Sequence, residues 1–246
     1  AYDRVHLTEY YTGSSAEDLL LAKRKWYTQN NIELYTSEMV TQVNREEKSI
    51  ETHHNKIFKY DVLVFATGSS AFVPPLKGVD NQGVFVYRTF EDLDAIKCFS
   101  KKSKKAAVIG GGLLGLEAAK ALLDDGLETS IIEMAPRLMP RQLDEAGGAL
   151  LKKKLETLNL NILLSQSIAQ IKGQGKVAGI DFNDGSALDV DMVVISAGIS
   201  PRDKVARKAG LEVGPRGGIV VNEFMQTSDE SIYSVGECSL AHGMIW

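Results

Sequence analysis

The chain has 246 residues, 44% hydrophobic and 24% charged, with 28 basic against 32 acidic side chains for a net charge of −4. Disorder, collagen and coiled coil are excluded on composition, and there is no basic footprint for nucleic acid. Two cysteines, Cys98 and Cys238, are too few for a disulfide scaffold, no apolar run approaches the ~18 residues of a membrane span, and the first residues show no secretory pattern; a cytosolic α/β enzyme or module is the class that remains.

In chain order, residues up to Ser15 read as irregular. Residues 16–30 place Leu19, Leu20, Lys23, Trp26 and Tyr27 near one face and predict an amphipathic helix. Strands are expected at 32–35, 39–43, 48–52 and 56–60. The apolar run DVLVFATG, 61–68, predicts a strand buried on both faces. Pro74 and Pro75 mark a loop. After KKSKK (101–105), a solvated stretch or, less favoured, a nucleic-acid patch or nuclear signal, residues 106–133 predict a strand, a glycine turn, a helix from Leu113 to Asp125 stopped near Gly126, and a second strand at 129–133. A helix over about 144–157 follows, then strands at 161–164, 167–171 and 177–182. The turn Asn183-Asp184-Gly185 closes a hairpin, and an apolar run fills much of 191–201.

The two halves share this order: helix, strand, several short strands, then YDVLVFATGSS in one and VDMVVISAGIS in the other. Such an internal repeat predicts two α/β domains of similar plan. Gly198 stands 88 positions after Gly110, and the same spacing counted back from Gly68 reaches a point before residue 1. The first copy's glycine turn is therefore expected to precede the chain. The expected division is a partial domain at 1–98 and 223–246 and a nucleotide domain at 99–222, its parallel sheet covered by helices on one face and a small β-meander on the other.

Gly110, Gly112 and Gly115 fit G-x-G-x-x-G between a strand and a helix, with Glu133 closing the next strand. That context turns a weak motif into a dinucleotide-binding signature. The first glycine permits the tight turn, the second lets a pyrophosphate approach the backbone, and the third lets helix and strand pack closely. The helix N-terminus offers amides and a positive dipole to the phosphates. Glu133 would accept hydrogen bonds from the adenosine ribose and repel a 2′-phosphate, favouring NAD; Arg137 and Arg141 nearby leave room for the phosphate. Glu117 faces either the nicotinamide or flavin side or solvent. Neither cysteine belongs to a C-x-x-C or C-x-x-x-x-C, and His6, His53, His54 and His242 lack metal-site spacing. No metal ligand and no catalytic side chain is expected.

GGGLLGLEAA (110–119), VLVFATGS (62–69), VVISAGISPR (193–202) and SIYSVGEC (231–238) resemble the FAD- and NAD-dependent pyridine-nucleotide oxidoreductases. FVYRTFEDLDAI (85–96), MPRQLDEAGGALL (139–151) and PRGGIVVNEFMQTSD (215–229) are similar to one branch in particular, the large subunits of NADH-dependent nitrite reductases; rubredoxin and ferredoxin reductases share the glycine motifs. The resemblance implies two Rossmann-like three-layer domains of the FAD/NAD(P)-binding fold, the first incomplete at its N-terminus. It also implies hydride transfer from NADH to FAD. At matching positions it implies that Gly198 borders the NAD cleft, that Arg4, Thr67 and Gly68 lie near FAD, and that Gly236 and Glu237 meet the flavin's ribityl or pyrophosphate. Most relatives carry Asp where Glu237 stands, although Glu agrees with the nitrite-reductase branch; an ordinary solvated Glu is the competing reading. Iron–sulfur and siroheme modules downstream would reduce nitrite, and a homodimer is allowed. The alternatives are an NADH:rubredoxin or ferredoxin reductase-like enzyme, or an NAD-binding module without catalysis of its own.

Overall fold

The computed structural model describes residues 2–245. The chain divides into two compact units, Ala1–Lys23 with Ala71–Gly198, and Arg24–Ser70 with Ile199–Trp246.

The first unit is built on a five-stranded parallel sheet. Its strands run in the order Val84–Val86, Met192–Ile195, Lys105–Ile109, Glu128–Ile132, Asn161–Leu163. Side chains leave it alternately to two cores. Ala106, Val108, Ile131, Met192 and Val194 pack with the helices Phe90–Ser100 and Leu113–Asp124. Ala107, Ile109, Ile132, Val193 and Ile195 pack with the antiparallel meander Ile168–Gly173, Val177–Phe182, Ala187–Leu188. Burial on both faces is why the central strands Lys105–Ile109 and Met192–Ile195 read as largely apolar runs.

The helices start and stop where local chemistry says they should. Thr89 and Asp92 form a capping box at Phe90–Ser100, and Asp144 accepts from the Gly147 amide at the head of Glu145–Glu156. Leu113–Asp124 ends in a Schellman turn: Gly126 takes φ +87°, its amide donates to Leu123, and the Leu127 amide donates to Leu122.

The second unit holds the antiparallel meander Val40–Asn44, Ser49–Thr52, Ile57–Lys59, the short helix Lys204–Lys208, and the parallel pair Leu63–Phe65 and Ile232–Ser234. Its core is Val43, Phe65, Ala206, Leu211, Ile219, Ile232 and Cys238.

Four expectations need correction. Residues before Ser15 are not irregular: Leu7–Thr12 is a helix that buries Leu7 and Tyr11, and Tyr11 donates to Asp125. The helix expected over 16–30 shrinks to Arg24–Gln29 and buries nothing; Leu19 is buried but Leu20, Leu21 and Trp26 are exposed, so the apolar stripe faces no common partner. Residues 32–35 form no strand. The strand at 61–68 shortens to Leu63–Phe65 and is not buried on both faces, since Val62 and Val64 are more than half exposed; among the described residues it pairs with one strand only. The compact units also differ from a division at 99 and 222. Residues 71–98 fall in the first unit because Val84–Val86 joins its sheet, while 199–222 fall in the second. No helix among the described residues is long and apolar enough to cross a membrane.

Candidate functional site

The carboxyl ends of the adjacent parallel strands Lys105–Ile109 and Met192–Ile195 lie in register, Ile109 opposite Ile195. Ligands of open parallel sheets gather at this edge. From the first strand the chain enters the glycine turn; from the second it enters the loop that carries Gly198.

Each motif glycine answers to a different constraint. Gly110 sits at φ +116°, and a Cβ there would meet the Ser196 carbonyl oxygen at 2.2 Å. A Cβ on Gly115 would lie 2.0 Å from the Gly110 carbonyl oxygen, so this glycine lets helix and turn touch. Gly112 has ordinary backbone angles, and a Cβ there would meet nothing within 4 Å. Its surroundings are open, at the head of a twelve-residue helix that no side chain caps. The first-turn amides are therefore left for an anion.

Glu133 closes the turn. One carboxylate oxygen accepts from the Gly111 amide at 2.7 Å, the other from the Ala135 amide at 2.8 Å. A carboxylate has about four acceptor positions, so two stay available to hydroxyl donors. Arg137 is committed elsewhere: its guanidinium donates to the carbonyls of Leu143 and Pro140. Arg141 is exposed. Gly198 is exposed at φ +115°, and its carbonyl accepts from the Phe72 amide. Glu117 lies on the second turn of the helix and accepts from the Thr8 hydroxyl at 2.9 Å. Arg4 is partly buried just before the N-terminal helix, its carbonyl accepting from Leu7.

In the second unit, Thr67 donates to the Arg202 carbonyl and the Arg202 amide donates to Gly68, which takes φ +61°. Glu237 accepts from the buried Ser69 hydroxyl at 3.1 Å, within a single 3₁₀ turn opened by Gly236 at φ +74°. Glu237 is thus tied to a neighbour rather than merely solvated. Cys238 ends that turn, fully buried. Burial alone would raise its thiol, but hydrogen bonds involving Ser234, Thr67 and the amides of Gly68 and Thr67 bring it below the usual thiol value.

Three features escaped sequence reasoning. Ser196 abuts both Gly110 and Gly115. Thr8 reaches Glu117, and Tyr87 reaches Thr8, from remote parts of the chain, with no local pattern to announce them. Glu38, His53 and His54 also come within 4.8 Å of one another at a hairpin tip. There Lys56 pairs with Glu38 and holds its carboxyl at about 2, and His53 accepts from the Met39 amide, so the cluster is already engaged internally.

A model of the pyridine nucleotide-disulphide oxidoreductase family matches residues 1–245. The nitrite reductase (NADH) large subunit of Escherichia coli (strain K12) is 48% identical over 97% of this chain and 28% of its own length. The nitrite reductase [NAD(P)H] large subunit of Klebsiella oxytoca is 46% identical over 100% of this chain and 26% of its own length. The chain therefore spans little more than a quarter of these relatives. Among solved structures, a ferredoxin reductase from Rhodopseudomonas palustris superposes with TM-score 0.92 at 27% identity, over 98% of this chain and 59% of that one. The resemblance expected from the motifs is borne out, and so is the FAD/NAD(P)-type α/β fold.

Proposed function

This chain belongs to the pyridine nucleotide-disulphide oxidoreductase family, and on that footing we propose that it is the NADH-accepting part of an FAD-dependent nitrite reductase large subunit. The observation that carries this reading is the open surround of Gly112 at the head of an uncapped helix, with the Glu133 carboxylate fixed beside the turn. That set fits a dinucleotide: amides for the pyrophosphate, an acceptor for the ribose hydroxyls, and space where a side chain would otherwise stand.

Hydride transfer from nicotinamide to flavin is chemistry that the two cofactors supply when bound. The protein's share is to orient them and exclude water. Gly110 and Gly115 shape the turn. The amides following Gly112 hold the phosphates. Glu133 is pre-set by its two backbone bonds, so it receives the ribose without reorganising. Gly198 follows the neighbouring strand at the same sheet edge, and Glu117 serves the nicotinamide end. FAD is assigned to the unit that holds Thr67, Gly68, Gly236 and Glu237, whereas Arg4 belongs to the first unit. The iron–sulfur and siroheme modules that would reduce nitrite lie outside these residues, whose two cysteines cannot ligate a four-cysteine cluster. The reading places the protein in the cytoplasm. The ferredoxin reductase likeness favours a second reading, in which the acceptor is a ferredoxin-like protein.

The test is anaerobic mixing of the flavin-loaded protein with NADH while following visible flavin absorbance. Bleaching is expected, with electrons then passing to nitrite in the full-length protein. Absence of bleaching despite tight NADH binding would leave only a binding module.

A further inference from the structure

Glu117 does not stand alone on its helix. Tyr87, buried to 4% exposure just after the strand Val84–Val86, donates its hydroxyl to Thr8 at 3.2 Å. Thr8, on the helix Leu7–Thr12, donates to one Glu117 carboxylate oxygen at 2.9 Å. A hydroxyl has one proton to give. Since Thr8 gives its proton to Glu117 and takes that of Tyr87, the polarity of the chain is fixed and it ends on the carboxylate. Burial raises the Tyr87 phenol above its ordinary value, so it remains a donor at any working pH. The other Glu117 oxygen takes no hydrogen bond among the described residues. Glu117 sits two residues past Gly115, one helical turn beyond Leu113, which is itself exposed.

We infer that Thr8, backed by Tyr87, is a positioning residue: it ties one oxygen of Glu117 and so presents the other to the N–H or O–H donors at the nicotinamide end of a bound dinucleotide. The inference rests on the NADH reading above. Its physical content is entropic. A half-buried glutamate can still sample several rotamers, and one hydrogen bond from a residue of a second helix removes most of them before the ligand arrives.

The experiment titrates the 246-residue chain with NADH and, separately, with ADP-ribose, which shares the adenosine and pyrophosphate but lacks the nicotinamide. Thr8→Val keeps the size of the side chain and removes the proton. It should weaken NADH by roughly three- to tenfold, the value of one ordinary hydrogen bond, while leaving ADP-ribose unchanged. Thr8→Ser should recover NADH affinity, and Thr8→Val should add little in a Glu117→Gln background. Unchanged NADH affinity in Thr8→Val, or equal loss for both ligands, would overturn the inference. If the unaltered chain bound neither ligand, the nucleotide reading itself would fall, and the inference with it.

Discussion

Two glycines three positions apart should respond oppositely to the same methyl group. Gly115→Ala drives a Cβ to 2.0 Å from a backbone oxygen, so helix and turn must separate. A loss of roughly 1–3 kcal/mol or more in urea unfolding is expected, the range for overpacking. Gly112→Ala meets no atom within 4 Å and needs no unusual backbone angle. It should unfold like the parent yet bind NADH at least about tenfold more weakly, because the methyl occupies the approach to the amides. Equal destabilisation by both would mean that the turn is a packing device without a ligand. Glu133 sets a second expectation. NADH should bind ~5–150-fold better than NADPH, as one like-charge contact costs about 1–3 kcal/mol. Arg137 is held by two carbonyls, which leaves Arg141 as the side chain able to soften this preference. Arg141→Ala therefore sharpens discrimination if it acts and leaves it unchanged if it does not; preference for NADPH in the parent chain would refute the role given to Glu133. The glycines and Glu133 were legible because their spacing is local. Thr8 was not, since 109 positions separate it from Glu117 and neither residue type is unusual where it stands.

At the scale of elements, one carboxylate fastens two strands of the parallel sheet at their entry. One Asp191 oxygen accepts from the amides of Lys104 and Lys105, and these bonds hold its carboxyl below the ordinary value of 3.8. A carboxyl lowered in the folded state stabilises above its unfolded pKa, and that stability fades as pH falls through the folded one. Asp191→Ala should therefore cost about 1–2 kcal/mol at neutral pH, the site being near the surface. The gap to the parent should close as pH drops below about 4; a gap constant between pH 7 and 3 would show that the side chain acts through packing alone. The strands it joins were readable from sequence because burial on both faces leaves continuous apolar runs. The helix Phe90–Ser100 offers a similar check: Thr89→Ala removes a capping box and should cost about 1 kcal/mol. Elsewhere the pattern misled for identifiable reasons. Leu7–Thr12 is six residues with two buried side chains, too short for periodicity to show. Residues 16–30 have a helical stripe, but the border between the compact units passes through them after Lys23, so Leu19 and Trp26 serve no common face.

Across the whole molecule, the repeat was legible because it is written twice in the same order, meander then apolar strand then glycine. The borders of the units were less so, because a strand's membership depends on its partner. Val84–Val86 carries no mark saying that it will pair with Met192–Ile195. The two cysteines follow the same division. Cys98 is exposed on the helix Phe90–Ser100 of the first unit, whereas Cys238 is buried in the core of the second. A dithiol relay needs two sulfurs on a shared short motif or in bonding geometry, with at least one reactive thiolate open to its partner. Cys238 has the lowered thiol but no exposure, and its sulfur is occupied by Ser234 and by the carbonyls of Phe65 and Val235. Its place is structural: it fills the space beneath the turn that carries Glu237, where a serine could use the same partners. The Cys98→Ser, Cys238→Ser double variant should therefore fold, and in the flavin-loaded full-length protein it should be reduced by NADH at close to the parent rate. A slowing of more than roughly tenfold, equivalent to about 1.4 kcal/mol of barrier, in a variant with unchanged thermal unfolding would place a thiol in the electron path.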